Sequence, residues 1–148
     1  MAPAFRPATP ADLATVLALM RLFYSEGGSP YDAEAEAALR ALLADPGLGR
    51  VLLMEEEGKA VGYLVVAFGY SLEFRGRDAF VDELYVVPSN RGRGLGREAL
   101  RVAEERFREA GVRALHLEVH PDNAPARRLY ASAGYADRKY YLMSKKLR

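Results

Sequence analysis

The stretch ELYVVPSNRGRGLGREALRVAEERFREAG, residues 83–111, places a glycine-rich turn between a predicted strand and a long predicted helix. In the segment RGRGLG at 91–96, three glycines alternate with two arginines and a leucine. The first N–H groups of a helix have no intrahelical partner, and with the helix dipole they favour an anion. Glycines let an anion approach without meeting a Cβ atom, and arginines add charge-assisted hydrogen bonds. The stretch favours a pyrophosphate site, and a tight turn with solvated arginines is the alternative.

Length and charge restrict the class of protein. The 148 residues predict a single domain, 1–148, with one core, and the absence of cysteine excludes disulfides and thiolate catalysis. The net charge of +1 argues against bulk nucleic-acid binding. Residues 1–60 carry 5 basic and 9 acidic side chains, whereas 61–148 carry 16 and 11, which suits a small polyanion held by the second half. The start of the chain does not read as a signal peptide, and no stretch is long enough to cross a membrane, so we expect a cytoplasmic protein without nucleic-acid or membrane partners.

Hydrophobic periodicity and turn residues predict an α/β (α+β) protein with a mixed sheet. In chain order the predicted elements are a strand at 4–7, a helix from Thr9 to 27, a helix at 32–44, a hairpin at 50–70, a strand at 79–87, a helix to Ala110, a strand at 114–119, a helix at 122–134 and a β-rich tail at 135–147. The order is therefore β-α-α-β-β-β-α-β-α, followed by one or two further strands.

Two motifs resemble one family. PSNRGRGLG at 88–96 resembles the acyl-CoA signature of the GCN5-related N-acetyltransferase (GNAT) superfamily, and Arg91, Gly94 and Gly96 fill its defining places. VDELYVVP before it looks like the family's fourth strand. DNAPARRLYASAGY at 122–135 resembles the family's second motif, and the matching positions are Asn123, Ala126, Leu129, Tyr130, Gly134 and Tyr135. The resemblance implies a GNAT-type, mostly antiparallel sheet of six to seven strands flanked by about four helices.

The resemblance also implies an activity. It predicts transfer of an acetyl group from acetyl-CoA to a primary amine by direct attack in a ternary complex, without a metal. A small amine or polyamine is favoured as acceptor, and a peptide amine is possible. By analogy the pantetheine arm lies in a wedge beside the bulged 82–87 strand, with a backbone N–H near Val86 as oxyanion donor. The implied cofactor-binding residues are Leu84, Tyr85, Val86, Arg91, Gly92, Arg93, Gly94, Leu95, Gly96, Arg97, Asn123 and Tyr130.

The same resemblance suggests the catalytic groups. Tyr130 matches the position that often serves as general acid, and a phenol with a reference pKa of about 10 is close enough to a thiol of about 8.5 for this role. The base stays open among Glu83, Asp82 and Glu118, preferred in that order. Neighbouring strand residues point to opposite faces, so Asp82 and Glu83 both reach the cleft only if a β-bulge intervenes.

Three other interpretations remain open at this point. Gly94, Gly96 and Ala99 fit the dinucleotide pattern G-x-G-x-x-A, which predicts an NAD(P)-dependent oxidoreductase. The strand HLEVH places His116, Glu118 and His120 in alternation, a ligand set that suits iron or zinc. A fold that binds acyl-CoA without turnover is the third.

The acceptor pocket and the assembly are less defined by the sequence. We expect aromatic walls from Tyr70, Phe74 and Phe80, with attraction of a cation by Glu26, Asp32 and Glu73. By analogy with the family, YYLMSKKL at 140–147 is a candidate edge of a homodimer.

Overall fold

The computed structural model describes residues 2–148. The bounds of the strands and helices are β1 Ala4–Pro7, α1 Leu13–Gly27, α2 Ala33–Ala44, β2 Gly49–Glu56, β3 Lys59–Ser71, β4 Gly76–Val86, α3 Leu95–Glu109, β5 Ala114–Leu117 and α4 Ala124–Ser132. Short 3-10 turns at Pro10–Asp12 and Pro88–Asn90 precede α1 and α3.

The five strands form one sheet in the order β1-β2-β3-β4-β5. The first three pairings are antiparallel, and only β4 and β5 run parallel. This confirms the mixed, mostly antiparallel sheet and the number of helices, which is four among the described residues. One parallel pair among five described strands is not the doubly wound parallel sheet of a dinucleotide-binding enzyme, which argues against the NAD(P) interpretation.

The strands predicted for the tail are absent from the structure, so this prediction was wrong. Residues 136–148 contain neither helix nor strand, so the described sheet has five strands rather than six to seven. Alternating apolar residues form a strand only where a neighbouring strand and a buried face stabilise it. In this tail Tyr141 is 95% exposed and Met143 is 90% exposed, so the apolar pattern is present but its burial is not.

The sheet has an apolar layer on each face. Helices α1 and α2 cover one face, where Val16, Leu19 and Leu39 join Leu53 and Tyr63 in a buried cluster. The alternate strand residues point to the other face. There the buried stripe of α3 packs, and the Phe107 ring meets Phe68 edge-on at 5.7 Å. The members of that stripe are Leu95, Ala99, Leu100, Ala103 and Phe107, whereas Val102 is half-buried and Ala110 is exposed.

A β-bulge interrupts β4 at Asp82. Val66 pairs with Val81 and Val65 pairs with Glu83, so the residue between them has no partner on β3. Val65 belongs to the layer under α1, and Glu83 shares its face. The bulge on which the joint use of Asp82 and Glu83 depends is therefore present.

Residue contacts divide the chain into two compact units. The first ends at Glu118 and holds the sheet with α1 to α3; the second, Val119–Arg148, holds α4. In the second unit the Asn123 side chain caps α4 by accepting a hydrogen bond from the Ala126 N–H at 3.2 Å. The expectation of a single domain, 1–148, stays a prediction. Within residues 2–148, no helix has the length and apolar composition needed to cross a membrane.

Candidate active site

The last part of β4 has a free edge. Pairing with β5 ends at Val81 and Leu117, whereas β4 continues to Val86. The Val87 N–H donates to the Val61 carbonyl on β3 at 2.9 Å. Because successive residues of a strand direct their N–H and C=O groups to opposite edges, those of Leu84 and Val86 point away from β3. Among residues 2–118 no strand pairs with this edge beyond Val81, which suits an extended ligand that hydrogen-bonds like an added strand, and the Val86 carbonyl accepts a hydrogen bond from Arg91 at 2.8 Å.

The glycine loop connects this edge to α3. Gly92 and Gly94 both have φ of +79°, a left-handed conformation that other residues rarely adopt, and Gly94 is the N-cap of α3. The first intrahelical bond runs from the Glu98 N–H to the Gly94 carbonyl at 3.0 Å. The N–H groups of Leu95 and Gly96 precede that bond, as those of a first helical turn do, and have no carbonyl four residues earlier within the helix. The loop therefore has the backbone of an anion site.

Two loop arginines are held by carboxylates of the same chain. Arg91 donates through Nη2 to Glu26 at 2.7 Å and through Nε to the Val86 carbonyl at 2.8 Å. Arg93 donates to Glu56 at 2.7 Å. An incoming diphosphate would have to compete with these carboxylates for both guanidinium groups.

Glu26 also links the loop to β4. The Tyr85 hydroxyl donates to Glu26 at 2.6 Å, and this bond, followed by the one from Arg91, lowers the pKa of the Glu26 carboxyl. Burial, followed by the bond to Glu26, raises the pKa of Tyr85 to about 12. The Arg91 guanidinium lies 5.5 Å from the centre of the Tyr85 ring. Tyr85 therefore contributes to this region through its side chain, while its backbone faces β3.

The three candidate bases lie in different environments. Glu83 is half-buried and accepts hydrogen bonds from the hydroxyls of Tyr24 at 2.6 Å and Tyr63 at 2.8 Å. Burial raises the pKa of the Glu83 carboxyl, and the two phenols act in the opposite direction. Asp82 is exposed at the bulge, and Glu118 is exposed just after β5. Glu83 has the fixed geometry and the raised pKa expected of a base.

Tyr130, the candidate acid, lies on α4 in the second unit. It is half-buried, its ring meets Tyr135 edge-on at 6.2 Å, and burial raises the pKa of its hydroxyl. A raised pKa keeps the phenol protonated at neutral pH, as a general acid requires.

The alternating histidines do not form a metal site in the structure. His116 hydrogen-bonds the buried Asp78 carboxylate at 3.0 Å, and residues 2–148 contain no group of three or more side chains arranged to hold a metal ion. The rings of Phe74 and Phe80 lie 5.2 and 4.9 Å from the His116 ring.

The other groups expected around the acceptor differ in their surroundings. Tyr70 is 76% exposed. Asp32 caps α2 by accepting from the Ala35 N–H at 2.9 Å. The Asp32 carboxylate therefore has a structural role at the start of α2.

Sequence reasoning missed the two phenols that hold Glu83. Tyr24 and Tyr63 belong to no motif, and Tyr63 lies in the otherwise apolar run AVGYLVVAF. The one available signal was chemical, because a buried tyrosine hydroxyl needs a hydrogen-bond partner.

Sequence and structure comparisons agree with the geometry of an acyltransferase. The model of the acetyltransferase (GNAT) family matches residues 15–135. An uncharacterized N-acetyltransferase of Bacillus subtilis (strain 168), YhfO, is 30% identical over 135 residues, which cover 89% of each chain. Streptothricin acetyltransferase of Streptomyces lavendulae is 31% identical over 118 residues, which cover 80% of this chain and 57% of that protein. The crystal structure of the integron cassette protein HFX_CASS3, from the Cole Harbour Salt Marsh metagenome, superposes with a TM-score of 0.88 at 35% identity, covering 97% of this chain and 90% of the other.

The fold and the open strand edge beside a glycine loop define an acyl-CoA-dependent N-acetyltransferase. The chain belongs to the GNAT acetyltransferase family. This confirms the family and the enzyme class that the two motifs predicted.

Proposed function

We propose that the protein transfers an acetyl group from acetyl-CoA to a primary amine by direct attack in a ternary complex. The observation that carries the proposal is the continuity of the free β4 edge with the glycine loop and the first turn of α3. A pantetheine arm needs backbone partners and a diphosphate needs an anion site. The two lie next to each other in this order along the chain.

The proposed donor site uses the residues named by the motif. Leu84 and Val86 pair with the pantetheine amides, and the Val86 N–H donates to the thioester carbonyl as negative charge develops on its oxygen. The loop and the first turn of α3 hold the diphosphate. Arg91 and Arg93 contribute to this site after release from Glu26 and Glu56.

The proposed chemistry needs one base and one acid. Glu83 takes a proton from the ammonium form of the acceptor, so that the amine nitrogen can attack the thioester carbon. A C–N bond forms and the C–S bond breaks, the thiolate of CoA takes a proton from Tyr130, and the second proton that the nitrogen loses as it becomes an amide returns to the Tyr130 oxygen. Placing both reactants in one site supplies much of the rate.

We propose a cationic small amine or a polyamine as acceptor, with a peptide amine as the alternative. The carboxylates of Asp82 and Glu83 favour a positive charge. The similarity to streptothricin acetyltransferase supports the proposal that the transferred group is acetyl. We also propose that the enzyme is cytoplasmic and acts as a homodimer through residues 140–147.

The decisive experiment is a free-thiol assay with acetyl-CoA and a panel of polyamines, amino acids, aminoglycosides and peptides. We expect amine-dependent CoA release, and Glu83→Gln should abolish it while acetyl-CoA still binds in calorimetry. Binding without release across the whole panel would favour the non-catalytic interpretation. The absence of both acetyl-CoA binding and CoA release would contradict the proposal.

A further inference from the structure

The Glu83 carboxylate is held from two sides. The Tyr24 hydroxyl of α1 donates to Oε2 at 2.6 Å, and the Tyr63 hydroxyl of β3 donates to Oε1 at 2.8 Å. Each carboxylate oxygen thus has its own phenol. A glutamate side chain has three rotatable bonds, and two donors from separate elements fix its position in the way that a base requires.

We propose that Tyr24 and Tyr63 are positioning residues of the transferase, which keep Glu83 ionised and in place to receive the proton of the acceptor ammonium. The inference rests on the proposed function, in which Glu83 is the base. It assigns a role to two residues outside both family motifs.

The surroundings of Glu83 show why such a pair is needed. Burial and the neighbouring Asp82 raise the pKa of the Glu83 carboxyl, whereas the hydrogen bonds from Tyr24 and Tyr63 lower it. Without the phenols, burial and Asp82 would favour the protonated form, which cannot accept a proton.

The two phenols act as hydrogen-bond donors to Glu83. Burial, followed by interaction with Glu83, raises the pKa of both hydroxyls far above neutrality. Asp32 acts on Tyr24 in the same direction, and Tyr85 does so on Tyr63. Both hydroxyls therefore stay protonated over the pH range in which the enzyme would work.

The rings that carry these hydroxyls are fixed by packing. Tyr63 is completely buried, and the Phe23 ring lies 5.8 Å from Tyr24, 6.4 Å from Tyr63 and 5.3 Å from Tyr85. A rigid aromatic group transmits little movement to the carboxylate, which suits a positioning role better than a flexible contact.

Tyr24→Phe and Tyr63→Phe test the inference, with Tyr31→Phe as the matched control. Tyr31 donates to Glu36 at 2.7 Å, and its ring lies 6.3 Å from Tyr24, so the control removes a similar bond nearby without touching Glu83. The pH dependence of kcat/KM is measured with one amine for all variants, and each profile is divided by that of the wild type so that ionisation of the substrate cancels. The carboxyl titration of Glu83 is followed in parallel by NMR with ¹³C-labelled glutamate.

We expect each test variant to move the acidic limb of kcat/KM and the Glu83 titration upward by about one pH unit. The KM for acetyl-CoA should stay at the wild-type value, and Tyr31→Phe should change neither readout. The inference would be overturned if both test variants kept the wild-type melting temperature and acetyl-CoA affinity, and if neither the acidic limb of kcat/KM nor the Glu83 titration moved in either of them. A wild type that acetylates no amine would instead contradict the proposed function, and the titration alone would then decide whether the phenols keep Glu83 ionised.

Discussion

Replacing Gly62 by alanine should damage both the sheet and the donor site. Gly62 lies on β3 opposite Val86. A Cβ atom there would lie 3.0 Å from the Met54 sulfur and 3.2 Å from the Val86 Cα, and closer still to the Tyr85 carbonyl oxygen. The backbone around Val86 must therefore shift to accept a methyl group.

The size of the effect follows from that crowding. Overpacking a well-packed site costs about 1–3 kcal/mol. For a chain of this length, a loss of about 2 kcal/mol in unfolding free energy lowers Tm by about 4–8 °C. Since Val86 is the proposed oxyanion donor, and loss of such a donor costs about 100-fold or more in kcat, displacement should lower kcat by about tenfold.

Thermal unfolding and the free-thiol assay measure the two effects separately. Gly58→Ala is the control, because Gly58 has φ of +77° and no atom within 4 Å of an added Cβ. That variant should lose about 1–2 kcal/mol through backbone strain and keep its kcat. A Gly62→Ala protein with wild-type Tm and kcat, or a Gly58→Ala protein with an equal loss of kcat, would refute the reasoning.

Three further predictions concern other parts of the molecule. Tyr130→Phe should lower kcat by at least about tenfold and leave acetyl-CoA affinity unchanged in calorimetry, since it removes only the proton donor; unchanged kcat would exclude Tyr130 from the chemistry. Glu26→Gln should tighten acetyl-CoA binding and Arg91→Ala should weaken it, because Glu26 competes with the diphosphate for Arg91; titration calorimetry that finds Glu26→Gln equal to the wild type would contradict this competition. The hydrogen bond from Arg6 holds the pKa of Asp12 below its usual value, so the stability that Asp12 contributes is present above the unfolded carboxyl pKa of about 3.9 and is lost as pH falls toward the folded value. Asp12→Asn should therefore unfold more easily than the wild type at pH 7 in urea, and a difference that persists undiminished at pH 2 would argue against the pair.

Local patterns were sufficient for most of the fold. The glycine-rich turn at the start of α3 and the cap that Asn123 provides for α4 are local properties, and they are readable from the sequence. The strand prediction for the tail was wrong for a physical reason. Tyr140 and Leu142 have the composition of a strand, but a strand also needs a partner, and composition does not specify one.

The candidate site divides in the same way. The glycine turn between β4 and α3 follows from the order of strand, glycines and helix, and its use as an anion site stays a prediction. The partners of the charged groups were not, because Glu26 and Arg91 are far apart in sequence, as are Tyr24 and Glu83. Such pairs arise from helix packing and from the register of β4, which no local pattern records.

The bulge at Asp82 affects both the thermal stability and the turnover of this enzyme. Deleting that residue would remove one candidate base but leave Glu83 opposite Val65 and Val81 opposite Val66, so Glu83 would keep its face. It would, however, yield a regular strand free to continue its ladder with β5, at the place where pantetheine is proposed to bind. We therefore expect the variant that lacks Asp82 to be more heat-resistant and less active than the wild type. One backbone residue would then determine the relation between thermostability and turnover.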